Sequence, residues 1–150
     1  MIFAMMKPPE LTKLALKGVR VLEVGEGPAV AYAGKIFADF GAEVLKVESL
    51  QGDPWRNMPP LVQPSEGAKP ESALFAWMNT NKRSITADLS KQQERAWIGQ
   101  LARTCDVVLD ARALTEGVDV LARALASEGE SAEATHAPIE VDLTWFGESG

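Results

Sequence analysis

Cysteine and histidine are almost absent from this 150-residue chain, which has one of each, Cys105 and His136. A single cysteine cannot form an internal disulfide, and this fits a reducing cytosol. His136 lies in a Thr-His-Ala-Pro segment without Cys, Asp or Glu partners at metal-ligand spacing. Cys105 is interpreted as a small packed hydrophobic residue. The sequence therefore predicts neither a disulfide framework nor a metal site.

Positive charge and long apolar runs are also scarce. The chain has 15 basic and 21 acidic residues, for a net charge of −6. A nucleic-acid or anionic-membrane surface would need a concentrated positive field, so neither partner is expected. No apolar stretch approaches the roughly 18 residues needed to span a bilayer. The apolar residues among positions 1–6 are too few to form the core of a signal peptide. We expect a soluble, cytoplasmic protein.

The most informative stretch is residues 19–56, which predicts a strand, a glycine turn, a helix, a second strand and a loop. Residues 19–24 are rich in β-branched side chains and stop at the turn 25–28, and a second such run follows at 44–48. Gly41 ends the intervening helix, where a left-handed residue is favoured. Apolar residues recur at the three- and four-residue spacing of a helix face, at Ala33, Ile36, Phe37 and Phe40. A strand–helix–strand unit of this length implies a parallel pair, whose ligands bind beyond the carboxyl ends of the strands.

The remainder continues the alternation of strands and helices. Residues 51–71 hold five prolines, which exclude a long helix or a central strand there. Ser90 and Gln93 are interpreted as a capping box that opens a helix, with Trp97, Ile98 and Leu101 facing the sheet. The other predicted elements are a helix at 72–78, a strand at 84–89, a strand at 106–110, a helix with apolar positions from 114 to 125, and a strand at 139–144.

This order specifies an α/β fold, a Rossmann-like, doubly wound, mostly parallel sheet flanked by helices. Residues 1–17 are interpreted as an amino-terminal arm and residues 18–150 as one domain. Because no helix follows the last predicted strand, we expect an incomplete large domain, the amino-terminal part of a longer architecture.

The turn at 25–28 nearly matches a dinucleotide fingerprint. Glu48 lies 21 residues beyond Gly27, close to the spacing of an acid that binds a ribose hydroxyl. Val30 replaces the third glycine, and Pro28 removes one amide. An NAD-dependent Rossmann oxidoreductase resting on Gly25, Gly27 and Glu48 is one hypothesis, and a strand-to-helix turn without a ligand is another.

Three loops carry further candidate ligand groups. Trp55 and Arg56 could cover a base and meet a phosphate, since a guanidinium suits phosphate oxygens. Residues 79–84, Asn-Thr-Asn-Lys-Arg-Ser, combine amides and cations in an otherwise apolar region. Asp110 and Arg112 follow a strand and could reach the same crevice. Each loop could equally be a solvated turn.

Together these blocks resemble the family III CoA-transferases, the CaiB/BaiF group of formyl-CoA transferase, carnitine CoA-transferase and α-methylacyl-CoA racemase. The resemblance runs in register from about residue 16 to residue 150. It rests on the blocks LKGVRVLE (16–23), FADFGAEVLKVE (37–48), GDP (52–54), NTNKRSI (79–85), DL (88–89), DVV (106–108) and WFG (145–147).

The resemblance implies a Rossmann-like domain that binds coenzyme A, with acyl-CoA and a carboxylic acid as substrates and a homodimer as the assembly. Ser49 stands where transferases often carry an arginine. Ala111 and Arg112 stand where Asn-Phe usually ends a strand, and Arg112 adds a cation. The implied CoA-binding residues are Gly27, Pro28, Ser49, Arg56, Asn81, Lys82, Arg83, Ala111 and Arg112.

In the family an aspartate attacks the acyl-CoA carbonyl. The segment that contains this aspartate lies downstream of the residues matched here. The resemblance therefore implies no catalytic residue in this chain, which alone is expected to be an inactive CoA-binding portion. A truncated, non-catalytic binding or assembly module is the remaining alternative. If Lys82 and Arg56 meet phosphates, Lys82→Ala or Arg56→Glu should weaken CoA binding in a salt-sensitive way.

Overall fold

A computed structural model of the chain describes residues 14–63, 66–111 and 137–144. These residues form seven strands, three α-helices and one 3-10 helix at Pro54–Asn57. The strands are β1 (Arg20–Val24), β2 (Glu43–Glu48), β3 (Leu61–Val62), β4 (Glu71–Ser72), β5 (Arg83–Thr86), β6 (Val107–Asp110) and β7 (Ile139–Asp142). The helices are α1 (Pro28–Asp39), α2 (Ala73–Met78) and α3 (Gln92–Ala102).

Five strands form one sheet in the order β5-β2-β1-β6-β7, and all four pairings are parallel. The chain starts in the centre at β1, moves outward to β2 and β5, and then crosses to β6 and β7 on the other side. This reversal beside β1 creates a crevice at the carboxyl ends of the strands. The predicted α/β, mostly parallel sheet with flanking helices is confirmed.

Glycines set both ends of α1. Gly27 precedes the helix at φ 110° and Pro28 takes the first helical position, where a proline costs no hydrogen bond. Gly41 follows the helix at φ 98°, and its amide donates to the Ala38 carbonyl. A left-handed residue there satisfies a terminal carbonyl and turns the chain into β2, so the interpretation of Gly41 is confirmed.

The sheet buries a separate apolar layer on each face. Buried residues of the α3 face are Leu22, Val24, Val47, Ala87, Ile98, Ala102, Cys105 and Val108. Those of the α1 face are Val21, Val30, Ala38, Ala42, Val44, Val107, Leu109 and Ala111. Because side chains alternate along a strand, Glu23, Lys46 and Glu48 share the α1 face with Val21 and Val44.

The predicted sheet-facing side of α3 was partly wrong, and only part of the helix face predicted for α1 is buried. In α1 the side chains of Ile36 and Phe40 are exposed, while Ala33 and Phe37 pack at the margin of the core. Trp97 of α3, predicted to face the sheet, is 47% exposed, whereas Ile98 is fully buried. Helical spacing alone does not say which arc of a helix meets the sheet, and in α1 that arc has small residues over a charged cluster.

The capping box predicted at Ser90 was wrong. Helix α3 begins at Gln92, its cap position is Lys91, and no side chain caps it. The Ser90 hydroxyl instead donates to the Asp88 carboxylate. Ser72 caps α2, since its Oγ accepts a hydrogen bond from the Phe75 amide at 3.1 Å.

The proline-rich segment contains more order than the sequence indicates. The 3-10 helix at Pro54–Asn57 is capped by Asp53, whose Oδ1 accepts from the Trp55 amide at 2.9 Å. Beyond it, β3 and β4 form a two-residue antiparallel ladder that leads into α2. The 3-10 helix lies beside the carboxyl end of β2, since the Asp53 amide and Arg56 both donate to Glu48.

Several predicted features lie outside the described residues. They are most of the arm at 1–17, the helix with apolar positions from 114 to 125, Arg112, His136, and residues 145–150. Within the described ranges, no helix is long and apolar enough to cross a membrane.

Candidate functional site

A cavity of about 410 Å³ opens where β1, β2 and β5 end. Its position agrees with the ligand edge expected for a parallel α/β sheet. The volume falls within the usual range for small-molecule sites. The cavity is lined by Gly25, Glu26, Val47, Glu48, Ser49, Leu50, Gln51, Ala87, Asp88, Leu89 and Ser90.

The amino terminus of α1 lies at the same edge, because the helix begins four residues after β1 ends. Gly27 has a backbone conformation that residues with a side chain rarely adopt, and no atom lies within 4 Å of the position that a Cβ would take. The first turn of a helix carries amides without helical partners and the positive end of the dipole. Gly27 and Pro28 are therefore placed where an anionic ligand could approach the backbone closely.

Beneath α1 lies a buried charge cluster formed by Glu23, Lys46, Asp53 and Lys82. Glu23 accepts from Lys46 Nζ on Oε1 at 2.9 Å and from Lys82 Nζ on Oε2 at 2.7 Å. Lys46 Nζ also lies 2.9 Å from Asp53 Oδ2. Two carboxylates thus neutralise two ammonium groups, which is the condition under which charges are tolerated inside a protein.

The two lysines of this cluster differ in pKa. Burial works to lower the pKa of Lys46, but its contacts with Glu23 and Asp53 outweigh burial and leave the pKa above 10.5. For Lys82 burial dominates, Lys46 adds repulsion, and the pKa lies below 10.5 despite Glu23. The difference follows from partner number, since Lys46 has two carboxylate partners and Lys82 has one.

Lys82 is held by two further contacts. Its Nζ donates to the carbonyl of Ala31 at 2.7 Å and to Oδ1 of Asn79 at 2.9 Å. An ammonium has three protons, and these contacts together with Glu23 use all three. The side chain is 2% exposed, so Lys82 connects β1, α1 and the turn before β5.

A second ion pair joins β2 to the 3-10 helix. Arg56 donates to Glu48 through Nε and Nη2, and its guanidinium lies 4.3 Å from the centre of the Phe75 ring. Burial works to raise the pKa of Glu48, but hydrogen bonds from Arg56 and the Asp53 amide outweigh it and leave the pKa below 4.5. Glu48 also lines the cavity, so the pair supports one of its walls.

Four of the predicted CoA-binding residues lie at the carboxyl edge: Gly27, Pro28, Ser49 and Arg56. Ser49 lines the cavity, and its hydroxyl donates to the Gly52 carbonyl at 2.9 Å. Arg56 keeps 45% of its side chain exposed beside Glu48. These residues come from two successive strand ends, as the sequence predicts.

Among the predicted residues that the structure describes, only Ser49 lines this cavity, and Lys82 lies in the buried charge cluster instead. Asn81 and Arg83 line a smaller groove of about 220 Å³ at the amino-terminal edge of the sheet. Asn81, at φ 66°, donates through Nδ2 to Asp39 Oδ1 at 3.2 Å. Ala111 is fully buried, and its amide donates to the Val24 carbonyl. Arg112 lies outside the described residues.

Sequence reasoning missed the buried cluster. Glu23 and Lys46 each stand between apolar residues of a buried strand, and they are direct partners in the register of β1 and β2. An acid in one buried-type strand and a lysine in the next are a detectable signal for a buried pair. Asp53 carries no such signal, because only the fold of the loop places it beside Lys46.

The sheet order and the crevice at its carboxyl edge define an α/β protein of the Rossmann-like class. The model of CoA-transferase family III matches residues 16–150, and the chain belongs to that family. The resemblance stated from the sequence is thereby confirmed.

The chain is similar to proteins of known name and structure. It is 40% identical to a succinate–glutarate CoA-transferase of Agrobacterium fabrum, over 69% of this chain and 25% of that protein. Among solved structures, a CaiB/BaiF family protein from Brucella suis matches with a TM-score of 0.60 and 33% identity, over 73% and 30% of the two chains. A hypothetical protein from Mycobacterium tuberculosis matches with a TM-score of 0.68 and 32% identity, over 89% and 34%. The chain spans about a quarter of its succinate–glutarate relative's length.

Proposed function

We propose that this chain is the coenzyme A-binding portion of an acyl-CoA transferase, which moves CoA between an acyl-CoA thioester and a carboxylic acid. The match to CoA-transferase family III over residues 16–150 carries the proposal. The cavity at the carboxyl edge supports it, because its position beside the α1 amino terminus suits a nucleotide-containing anion.

The proposal assigns binding, and not chemistry, to the described residues. A carboxylate nucleophile must be free to attack an acyl carbon. At this edge Glu48 is held by Arg56, Asp53 by Lys46, and Asp88 by Ser90 and Lys91. The family resemblance implies that the attacking aspartate lies downstream of the residues matched here, so we propose that the described residues bind CoA without transferring it.

Binding of CoA is the direct test. Isothermal titration of the purified chain with CoA, succinyl-CoA and NADH should give heat with CoA and its thioester succinyl-CoA and none with NADH. A complementary assay should detect no transfer of CoA from succinyl-CoA to glutarate. Binding of NADH without CoA at millimolar concentration would overturn the proposal in favour of a nicotinamide-dependent enzyme.

The oligomeric state is proposed from family membership and is tested by a separate measurement. We propose that the chain contributes to a homodimer. Sedimentation velocity over a range of concentrations would report a dimer mass, and a concentration-independent monomer would contradict this part for the 150-residue chain.

A further inference from the structure

Glu23 is the centre of the buried charge cluster, and we infer that it is a positioning residue for coenzyme A binding. Its side chain is fully buried, in the middle strand of the sheet. Both carboxylate oxygens are occupied by lysines. The inference rests on the proposed CoA-binding function and assigns Glu23 no contact with the ligand.

Through Lys46, Glu23 holds the loop that forms one cavity wall. Lys46 Nζ bridges Glu23 and Asp53, and Asp53 in turn caps the 3-10 helix through the Trp55 amide. The same loop contains Ser49 and leads into the 3-10 helix that carries Arg56. A fixed Asp53 therefore fixes the backbone between the end of β2 and the 3-10 helix.

Through Lys82, Glu23 holds the first turn of α1. Lys82 Nζ donates to the Ala31 carbonyl in that turn and to Glu23. The amides of this turn face the edge where an anion would bind. Glu23 thus acts through two different lysines on the loop that follows β2 and on the first turn of α1.

A direct role in binding is incompatible with the packing around Glu23. A Cβ on Gly34 of α1 would overlap its carboxylate, so the helix covers it without a gap. A carboxylate would also repel the phosphates of CoA. Any effect of Glu23 on binding must therefore act through Lys46 and Lys82.

This arrangement predicts that removing the Glu23 charge weakens CoA binding, whereas charge repulsion alone predicts that binding becomes tighter. Removing a negative charge near a polyanion should strengthen binding if only the long-range field matters. Glu23→Gln preserves the side-chain shape but replaces one acceptor with a donor facing an ammonium. If Glu23 positions the two loops, the variant should bind CoA more weakly.

Titration calorimetry on the full chain, well below its melting temperature, is the test. We expect Glu23→Gln to raise the Kd for CoA about tenfold, as expected for the loss of a coupled buried network. Glu43→Gln is the matched control, because Glu43 is exposed at the opposite end of β2, and its Kd should stay within about twofold. An unchanged or lower Kd for folded Glu23→Gln would overturn the inference.

Gly34→Ala provides a second variant if Glu23→Gln does not fold. It displaces the Glu23 carboxylate without altering any charge, and its Kd for CoA should also rise by about tenfold.

The effect of Lys82→Met on CoA binding should be the same at low and high salt if Lys82 positions α1, whereas a contact between Lys82 and a phosphate would make that effect salt-sensitive. Failure of the wild-type chain to bind CoA would refute the proposed function. Normal wild-type binding with unaffected variants would refute only the role of Glu23.

Discussion

Arg56 donates two hydrogen bonds to Glu48, from Nε to Oε2 at 2.8 Å and from Nη2 to Oε1 at 2.7 Å. The Glu48 side chain is 3% exposed and that of Arg56 45% exposed. A guanidinium fork matches a carboxylate in this two-point geometry. The pair therefore connects the buried end of β2 to the surface of the 3-10 helix.

This pair predicts a pH dependence of stability. The pKa of folded Glu48 lies below 4.5, so its contribution is fully present above the unfolded pKa and is lost as pH falls through the folded value. Glu48→Gln should remove that contribution. Urea unfolding of both proteins between pH about 6 and about 3 should show their free energies of unfolding converging as pH falls. A difference that does not change with pH would contradict the prediction.

Gly34→Ala should destabilise the fold although alanine is the better helix former. The added Cβ overlaps the Glu23 carboxylate, and such overpacking costs about 1–3 kcal/mol, against a propensity gain of about 1 kcal/mol. Urea unfolding measures the net loss. In a Glu23→Ala background the overlap is absent, so the same change should become neutral or stabilising, and an equal cost in both backgrounds would refute the steric explanation.

Ser72→Ala should lower the free energy of unfolding more than Ser90→Ala does. Ser72 caps α2 and is buried, so its loss should lower the free energy of unfolding by about 1 kcal/mol. Ser90 caps no helix and is exposed, and its replacement should cost within about 0.5 kcal/mol. Thermal and urea unfolding of the two variants test the assignment, and equal costs would show that α2 does not depend on its cap.

Ile98 and Trp97 form a matched pair on α3. Ile98→Ala opens a cavity in the layer between α3 and the sheet and should cost about 2–5 kcal/mol. Trp97→Ala removes a half-exposed ring and should cost less, although the deleted side chain is larger. The ranking of the two free energies of unfolding is the measurement. A larger cost for Trp97→Ala would place that ring in the core.

Much of the fold could be predicted because its signals are local. The run Val107, Val108 and Leu109 reads as a buried strand, and each residue is buried. Gly41 marked the end of α1 because a left-handed backbone favours glycine. Which arc of a helix meets the sheet is not local information, and this explains why Trp97 was wrongly predicted to face the sheet.

The order of the main strands and helices along the chain, the parallel sheet and the edge at which a ligand would bind could be predicted from the sequence, since these follow from side-chain periodicity and strand–helix connections. The contacts of the charged residues became visible only in the folded chain. Glu23 meets lysines 23 and 59 positions away, and no local pattern encodes such pairs. Charges buried together must neutralise one another, so the fold directs Lys82 to a carboxylate beneath α1, a role that its position in a polar loop did not indicate.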